Sequence, residues 1–180
     1  ILLAGEDITG TSGLLGYMPQ EDLLFPWLTV RQNALLPARI KKHDLKLANA
    51  KIEELLPVFG LERHAELLPY QLSGGLKQRV ALLRTYMTGS RLLLLDEPFA
   101  SLDALTRMQM QDWLQDIQLK LKLTIVLVTH DIREALRLSD RIELMDSNPG
   151  RFVKTYLIDQ GIKEQPEAME SLLKEIVGLL

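Results

Sequence analysis

The chain has 180 residues, of which 47% are hydrophobic and 25% charged, an ordinary balance for one globular domain with a packed core. A net charge of −3 offers no basic footprint for nucleic acid, and the absence of cysteine removes disulfides, thiolate chemistry and Cys-based metal sites. No apolar run approaches the roughly 18–20 residues that a membrane helix needs.

Residues 1–40 read as loop-rich, punctuated by Gly5, Gly10, Gly13, Gly16, Pro19, Pro26 and Pro37, with short strands at 1–4 and 15–19. Leu45, Ala48, Ile52, Leu55, Leu56 and Phe59 recur at helical spacing, and Gly60 suits the position just past that helix. Residues 61–72 read as a linker. Ser73 is placed to cap a second helix carrying Leu76, Val80, Leu83 and Met87 on one face and ending at Gly89. The run 92–95 is wholly leucine, as expected of a parallel strand covered on both faces. A helix over 105–121, a strand over 124–129 and a short helix over 132–138 follow. Strands at 141–145 and 152–158 flank a turn at Asn148-Pro149-Gly150, and 167–180 forms a closing amphipathic helix. Strand and helix in alternation imply an α/β fold with a parallel sheet.

Four leucines run straight into Asp96-Glu97-Pro98. An apolar strand thereby delivers two carboxylates at its C-terminal edge, where open parallel sheets bind ligands. One carboxylate can hold Mg²⁺, which is usually shared with substrate phosphates, and the next can orient or deprotonate a water. In Leu72-Ser73-Gly74-Gly75-Leu76-Lys77-Gln78-Arg79 a hydroxyl and free backbone N–H groups gather at a helix N-terminus, an anion-binding arrangement. By itself Ser-Gly-Gly reads equally as a capped turn. Thr129-His130-Asp131 ends the next parallel strand at the same edge, and a histidine there can bond a phosphate or a water. Gln20 follows a strand and offers a neutral amide to a metal or a water. Ser101-Leu102-Asp103 alone is a helix cap. His43 and His64 sit in polar helical contexts and carry no site.

Taken in order, these pieces resemble the ATP-binding subunit of ABC transporters: Gln20 of the Q-loop, Leu72-Ser73-Gly74-Gly75-Leu76-Lys77-Gln78 of the signature, Leu92-Leu93-Leu94-Leu95-Asp96-Glu97 of Walker B, Ser101-Leu102-Asp103 of the D-loop, and His130. The resemblance implies a partial RecA-like P-loop NTPase core with an inserted helical signature subdomain over 35–88. Within one ATP-binding domain spanning 1–180, it leaves 92–180 as catalytic core, hairpin and closing helix. It implies ATP and Mg²⁺, with Asp96 and Gln20 toward the metal. Glu97 would be general base, Gln20 would sense the attacking water, and His130 would contact the γ-phosphate. Ser73, Gly74, Gly75 and Gln78 would face ATP held by the opposite subunit of a homodimer, and Asp103 would link the two sites. Further partners implied are an integral membrane permease and, indirectly, a solute-binding protein, at the cytoplasmic face of the membrane.

One departure from the family pattern is large. The phosphate loop G-x-x-x-x-G-K-[ST] is not found in these 180 residues, and the stretch from Gly5 to Gly16 has no lysine. The expectation is of a chain entered midway, inactive alone. The run from Gly16 through Gln20, Phe25 and Trp27 to Val30, with Thr129-His130-Asp131-Ile132-Arg133-Glu134-Ala135 and Asn148-Pro149-Gly150-Arg151, resembles the importers for nitrate, sulfonates and taurine and their thiamine-pyrimidine relatives. Phe25, Pro26, Trp27 and Leu28 read either as a surface for a partner helix or as internal packing. Two other readings are a soluble ABC-type ATPase of repair or translation and a non-enzymatic cassette.

Overall fold

In the computed structural model every residue is described except Ile1, Ala4, Ser12, Asn148, Pro149 and Leu180, so the expected turn at 148–149 lies outside the described residues. The chain divides into two compact units, Ile1–Val128 and Thr129–Leu180.

The first unit is organised by a three-stranded parallel sheet in the order β3 (Gly16–Met18), β4 (Leu92–Asp96), β5 (Thr124–Val128). Met18 pairs with Leu95, and Asp96 with Val128, so all three strands run out toward the same edge. Before the sheet, β1 (Leu2–Leu3) and β2 (Glu6–Asp7) form a small antiparallel pair. Leu93 and Leu95 are fully buried, which at about 25 cal/mol per Å² stabilises the strand by roughly 1.5–3 kcal/mol for each side chain. The opposite face is only half covered at Leu92 and Leu94. On β5 one face is more open still, because Val126 and Val128 are 49% and 47% exposed.

Four helices complete this unit: α1 (Val30–Ile40), α2 (Leu45–Val58), α3 (Gly74–Tyr86) and α4 (Ala104–Leu121). Each has a side-chain cap: Thr29 in a capping box with Gln32, then Asp44, Ser73 and Asp103. The first of them corrects the loop reading of residues 1–40. Pro37 lies inside α1, in its last turn, where a proline forfeits one intrahelical bond without stopping the helix. Gly60 follows α2 at φ +66°, as its expected place past the helix end requires. A Cβ there would also meet Arg79 Nη1 at 2.6 Å. The guanidinium of Arg79 stacks over Trp113 at 4.8 Å, and Trp113 meets Phe59 edge-on, so α2, α3 and α4 share one aromatic contact. Residues 61–72 are no plain linker, since they hold short 3-10 turns at Glu62–His64 and Pro69–Gln71.

The second unit contains α5 (Ile132–Leu138), the antiparallel pair β6 (Arg141–Ser147) and β7 (Gly150–Leu157), and the helices α6 (Gln160–Lys163) and α7 (Pro166–Val177). Its core is Leu136, Leu144, Tyr156, Ile158 and Ile176. Glu175 of α7 ties to β7 by accepting from Lys154 Nζ at 2.5 Å and from Tyr156 Oη at 3.0 Å. Those donors hold its carboxyl below the ordinary glutamate value. Helix α6 is short and carries no apolar period, so nothing in the sequence marked it.

Candidate functional site

Two parallel strands set the centre of the site. β4 ends on Asp96, and its neighbour β3 ends at Met18, two residues before Gln20. The register that pairs Met18 with Leu95 brings the Gln20 amide alongside the carboxylate after Asp96: Gln20 Nε2 donates to Glu97 Oε2 at 3.1 Å. The residues are 77 apart in sequence, so sheet pairing creates this contact.

Glu97 itself has φ +44°, in the left-handed region that non-glycine residues avoid at a cost of about 1–3 kcal/mol. Its N–H donates to Val128 O at 2.8 Å, its carbonyl accepts from Ala100 N at 3.2 Å, and Pro98 and Phe99 after it are buried. The turn is fixed from both sides, and the Glu97 carboxylate is the one that meets the Gln20 amide. Asp96 is held from β3 as well. Tyr17 Oη donates to Asp96 Oδ2 at 3.1 Å, and that bond raises the phenol above its ordinary value. Tyr17 is thus a neighbour of the acidic pair that its sequence context did not mark. A tyrosine on a three-residue strand is common, and only the register with β4 makes it a partner of Asp96.

The Ser-Gly-Gly run opens α3. Ser73 Oγ accepts from Leu76 N, and Ser73 and Gly74 are exposed. The two glycines answer to packing here. A Cβ on Gly74 would meet Leu102 Cδ2 at 3.1 Å, and one on Gly75 would meet Thr106 Cγ2 at 3.1 Å and Met110 Sδ at 3.5 Å. Small residues at these places let the N-terminus of α3 approach the turn that starts α4. Gln78, one helical turn on, is 5% exposed and lines a small apolar-walled cavity with Met18, Leu95, Pro98, Phe99 and Trp113, so it stands behind the exposed residues. Asp103 caps α4 through the N–H groups of Leu105 and Thr106, and Thr106 holds its carboxyl below the ordinary value.

His130 is exposed and belongs to the second unit, two residues past the end of β5. The strand is a residue shorter than expected, because Thr129 leaves it and its hydroxyl accepts from Asp131 N. Asp131 in turn caps α5.

On the far side of Gln20, Leu23, Phe25 and Trp27 are 57%, 42% and 70% exposed, and the two rings meet edge-on at 5.3 Å. Leu24 is buried and Leu28 half-buried. Of the two readings for Phe25, Pro26, Trp27 and Leu28, internal packing does not describe the first three, which are exposed, while Leu28 is partly packed.

A parallel α/β sheet carrying an acidic pair and a glutamine on one edge, with a Ser-Gly-Gly helix among its layers, defines a RecA-like cassette of the P-loop NTPase class. The chain belongs to the ABC transporter family, whose model matches residues 1–100. It is 43% identical to the formylaminopyrimidine import ATP-binding protein ThiZ of Halalkalibacterium halodurans, over 98% of this chain and 74% of that protein. It is 40% identical to the aliphatic sulfonates import ATP-binding protein SsuB of Bacillus licheniformis, over 88% and 61%. With the taurine import ATP-binding protein TauB of Pelagibacter ubique it shares 42% over 87% and 59%. Among solved structures it matches the bacterial ABC transporter cassette MJ0796, seen as a dimer, with TM-score 0.65 and 31% identity over 81% of this chain and 63% of that one. The chain therefore spans about three-fifths to three-quarters of the length of these relatives.

Proposed function

We propose that this chain is the greater part of the ATP-hydrolysing subunit of an ABC importer for a small solute. The Gln20–Glu97 hydrogen bond carries the reading, because it joins a water-sensing amide to a general base at the edge of a parallel sheet. Phosphoryl transfer asks a protein mainly for positioning and charge neutralisation, and the residues divide along those lines.

The donor set suits Mg²⁺. A hard cation shared with phosphates needs one or two carboxylates from the protein, and among the described residues no group of three or more candidate ligands forms an all-protein cage. Asp96 would hold the ion, with Gln20 beside it; once bound, the ion would neutralise charge on the β- and γ-phosphates. Tyr17 keeps Asp96 oriented by its hydroxyl. Glu97 accepts the proton of the attacking water, and Gln20 fixes the direction of that carboxylate. His130 takes the γ-phosphate role that the family resemblance assigns to it.

Ser73 and Gly74, exposed at the start of α3, would meet the γ-phosphate of ATP bound to a second copy, while Gly75 and Gln78 support them from behind. Asp103 would serve the link between the two sites of that dimer as well as capping α4. Residues 35–88 would act as the helical arm of the single cassette. The dimeric state of the MJ0796 cassette supports this pairing. The formylaminopyrimidine, aliphatic sulfonate and taurine import proteins it resembles support import of a small solute, chosen by a permease and its solute-binding protein. A position at the cytoplasmic face of the membrane follows from that partnership.

The exposed Leu23, Phe25 and Trp27 favour the importer reading over a soluble or non-enzymatic cassette, since an apolar surface next to the Q-loop is a seat for a partner helix. Trp27→Ala is expected to weaken co-purification with the permease by at least about tenfold while nucleotide affinity changes little, as for an interface aromatic anchor. Unchanged assembly would remove the docking role.

The catalytic reading is tested by turnover. The pure 180-residue chain, which has no G-x-x-x-x-G-K-[ST] loop, is expected to release no phosphate from MgATP. Fused behind a family segment that carries the loop, it is expected to hydrolyse ATP. A fusion that folds, binds ATP and still fails to turn over would defeat the proposal.

A further inference from the structure

The segment after Gln20 is gripped from two sides by side chains far away in sequence. Arg84, in the last turn of α3, donates from Nη1 to Leu23 O and from Nη2 to Asp22 O, both at 2.6 Å. Leu23 is held there at φ +44°, a left-handed conformation costly for a leucine. Asn33, fully buried on α1, grips the other end. Its Oδ1 accepts from Phe25 N at 2.9 Å, and its Nδ2 lies 3.2, 2.9 and 3.0 Å from the carbonyls of Phe25, Leu28 and Thr29. Backbone that would otherwise need water or a strand partner is satisfied by these two residues. Between them the apolar side chains of Leu23, Phe25 and Trp27 are left facing outward.

We infer that Arg84 and Asn33 form a two-point clamp that makes residues 22–29 one rigid body with α3 and α1, so that Arg84 is the positioning residue joining the Ser-Gly-Gly helix to the Leu23–Phe25–Trp27 surface. The geometry explains why arginine is used. Two successive carbonyls can be met by the two Nη atoms of one guanidinium, whereas an ammonium is a single point. Any displacement of α3 is transmitted through both bonds to the backbone of Asp22 and Leu23. With the surface as a docking face, which rests on the importer reading, a shift at the start of α3 reaches the partner without passing through a flexible loop.

Amide hydrogen exchange on the whole 180-residue chain tests the clamp without nucleotide or permease. Arg84→Met, which loses both charge-assisted hydrogen bonds, is expected to speed exchange across 22–29 by about tenfold or more, while 74–86 keeps its protection. Arg84→Lys, which retains charge and one contact, is expected to fall between, at about threefold. Leu23→Asn in the Arg84→Lys background is expected to regain part of the protection, because asparagine tolerates the left-handed backbone. Unchanged exchange in 22–29, or equal acceleration in 22–29 and 74–86, overturns the clamp. Should Arg84→Met fail to fold, Arg84→Lys decides by the same comparison. Failure here leaves the importer reading intact, and failed permease assembly leaves the clamp intact.

Discussion

Glu97→Gln, made in the fusion that supplies a phosphate loop, is expected to lower ATP turnover by about 10²–10⁴-fold, the usual contribution of a positioned general base. Glutamine keeps the size of the side chain and can still bond Gln20, but it cannot take a proton. The substitution therefore separates chemistry from geometry, and MgATP affinity by equilibrium binding is expected to change by less than about threefold. Glu97→Gly is the informative companion. The turn holds Glu97 at φ +44°, which glycine adopts freely, so Glu97→Gly is expected to keep or raise thermal stability while losing turnover to a similar extent. A residue retained for stability would behave in the opposite way. Turnover within a few-fold of the parent in Glu97→Gln would remove Glu97 from the role of base.

The reason the acidic pair was legible in the sequence, while its surroundings were not, is physical. Four leucines followed by Asp-Glu-Pro describe a local event, a buried strand ending in charge, and local events leave local signals. The capped start of α3 and the glycine after α2 are of the same kind: Ser73 and Gly60 stand where the backbone needs them. Tyr17, Arg84 and Asn33 act across 79, 61 and 8 residues, and no periodicity in their own segments marks them. Their partners are set by sheet register and by the packing of α1 against α3. The missed helix α1 has a different cause. Pro37, with Pro19 and Pro26 before it, reads as a break, yet the capping box at Thr29 and Gln32, with Val30, Ala34, Leu35 and Ala38 buried on one side, stabilises the helix despite the proline. Fold and acidic pair were thus readable from short-range chemistry, and the clamp around the Q-loop only from tertiary contacts.

Gly16→Val is expected to be strongly destabilising, and it argues for how the site is held together. Among the punctuating glycines of residues 1–40, Gly16 is the one whose missing side chain is a packing requirement. A Cβ there would lie 2.6 Å from Leu93 Cδ2, 2.8 Å from Thr85 Cγ2 and 3.2 Å from Thr85 O. Two of these contacts are with Thr85, one of them with its backbone, and Thr85 is buried with its hydroxyl already committed to Ala81 O at 2.9 Å; the third is with the fully buried Leu93, so none can easily yield. Overpacking of this kind costs about 3 kcal/mol or somewhat more for valine, which corresponds to a fall in melting temperature of roughly 6–12 °C for a chain of this size. Gly10 supplies the contrast. It sits at φ +79° with nothing within 4 Å, so Gly10→Ala is expected to cost only the backbone penalty of about 1–2 kcal/mol. The functional consequence separates the two further. Pushing β3 away from β4 lengthens both the Tyr17–Asp96 and the Gln20–Glu97 bonds, each 3.1 Å in the native register, so in the fusion Gly16→Val is expected to lose turnover even below its melting temperature. Gly10→Ala, which touches neither strand, is expected to keep it. Equal loss of activity in both variants would mean that the register of β3 on β4 does not set the geometry of the acidic pair.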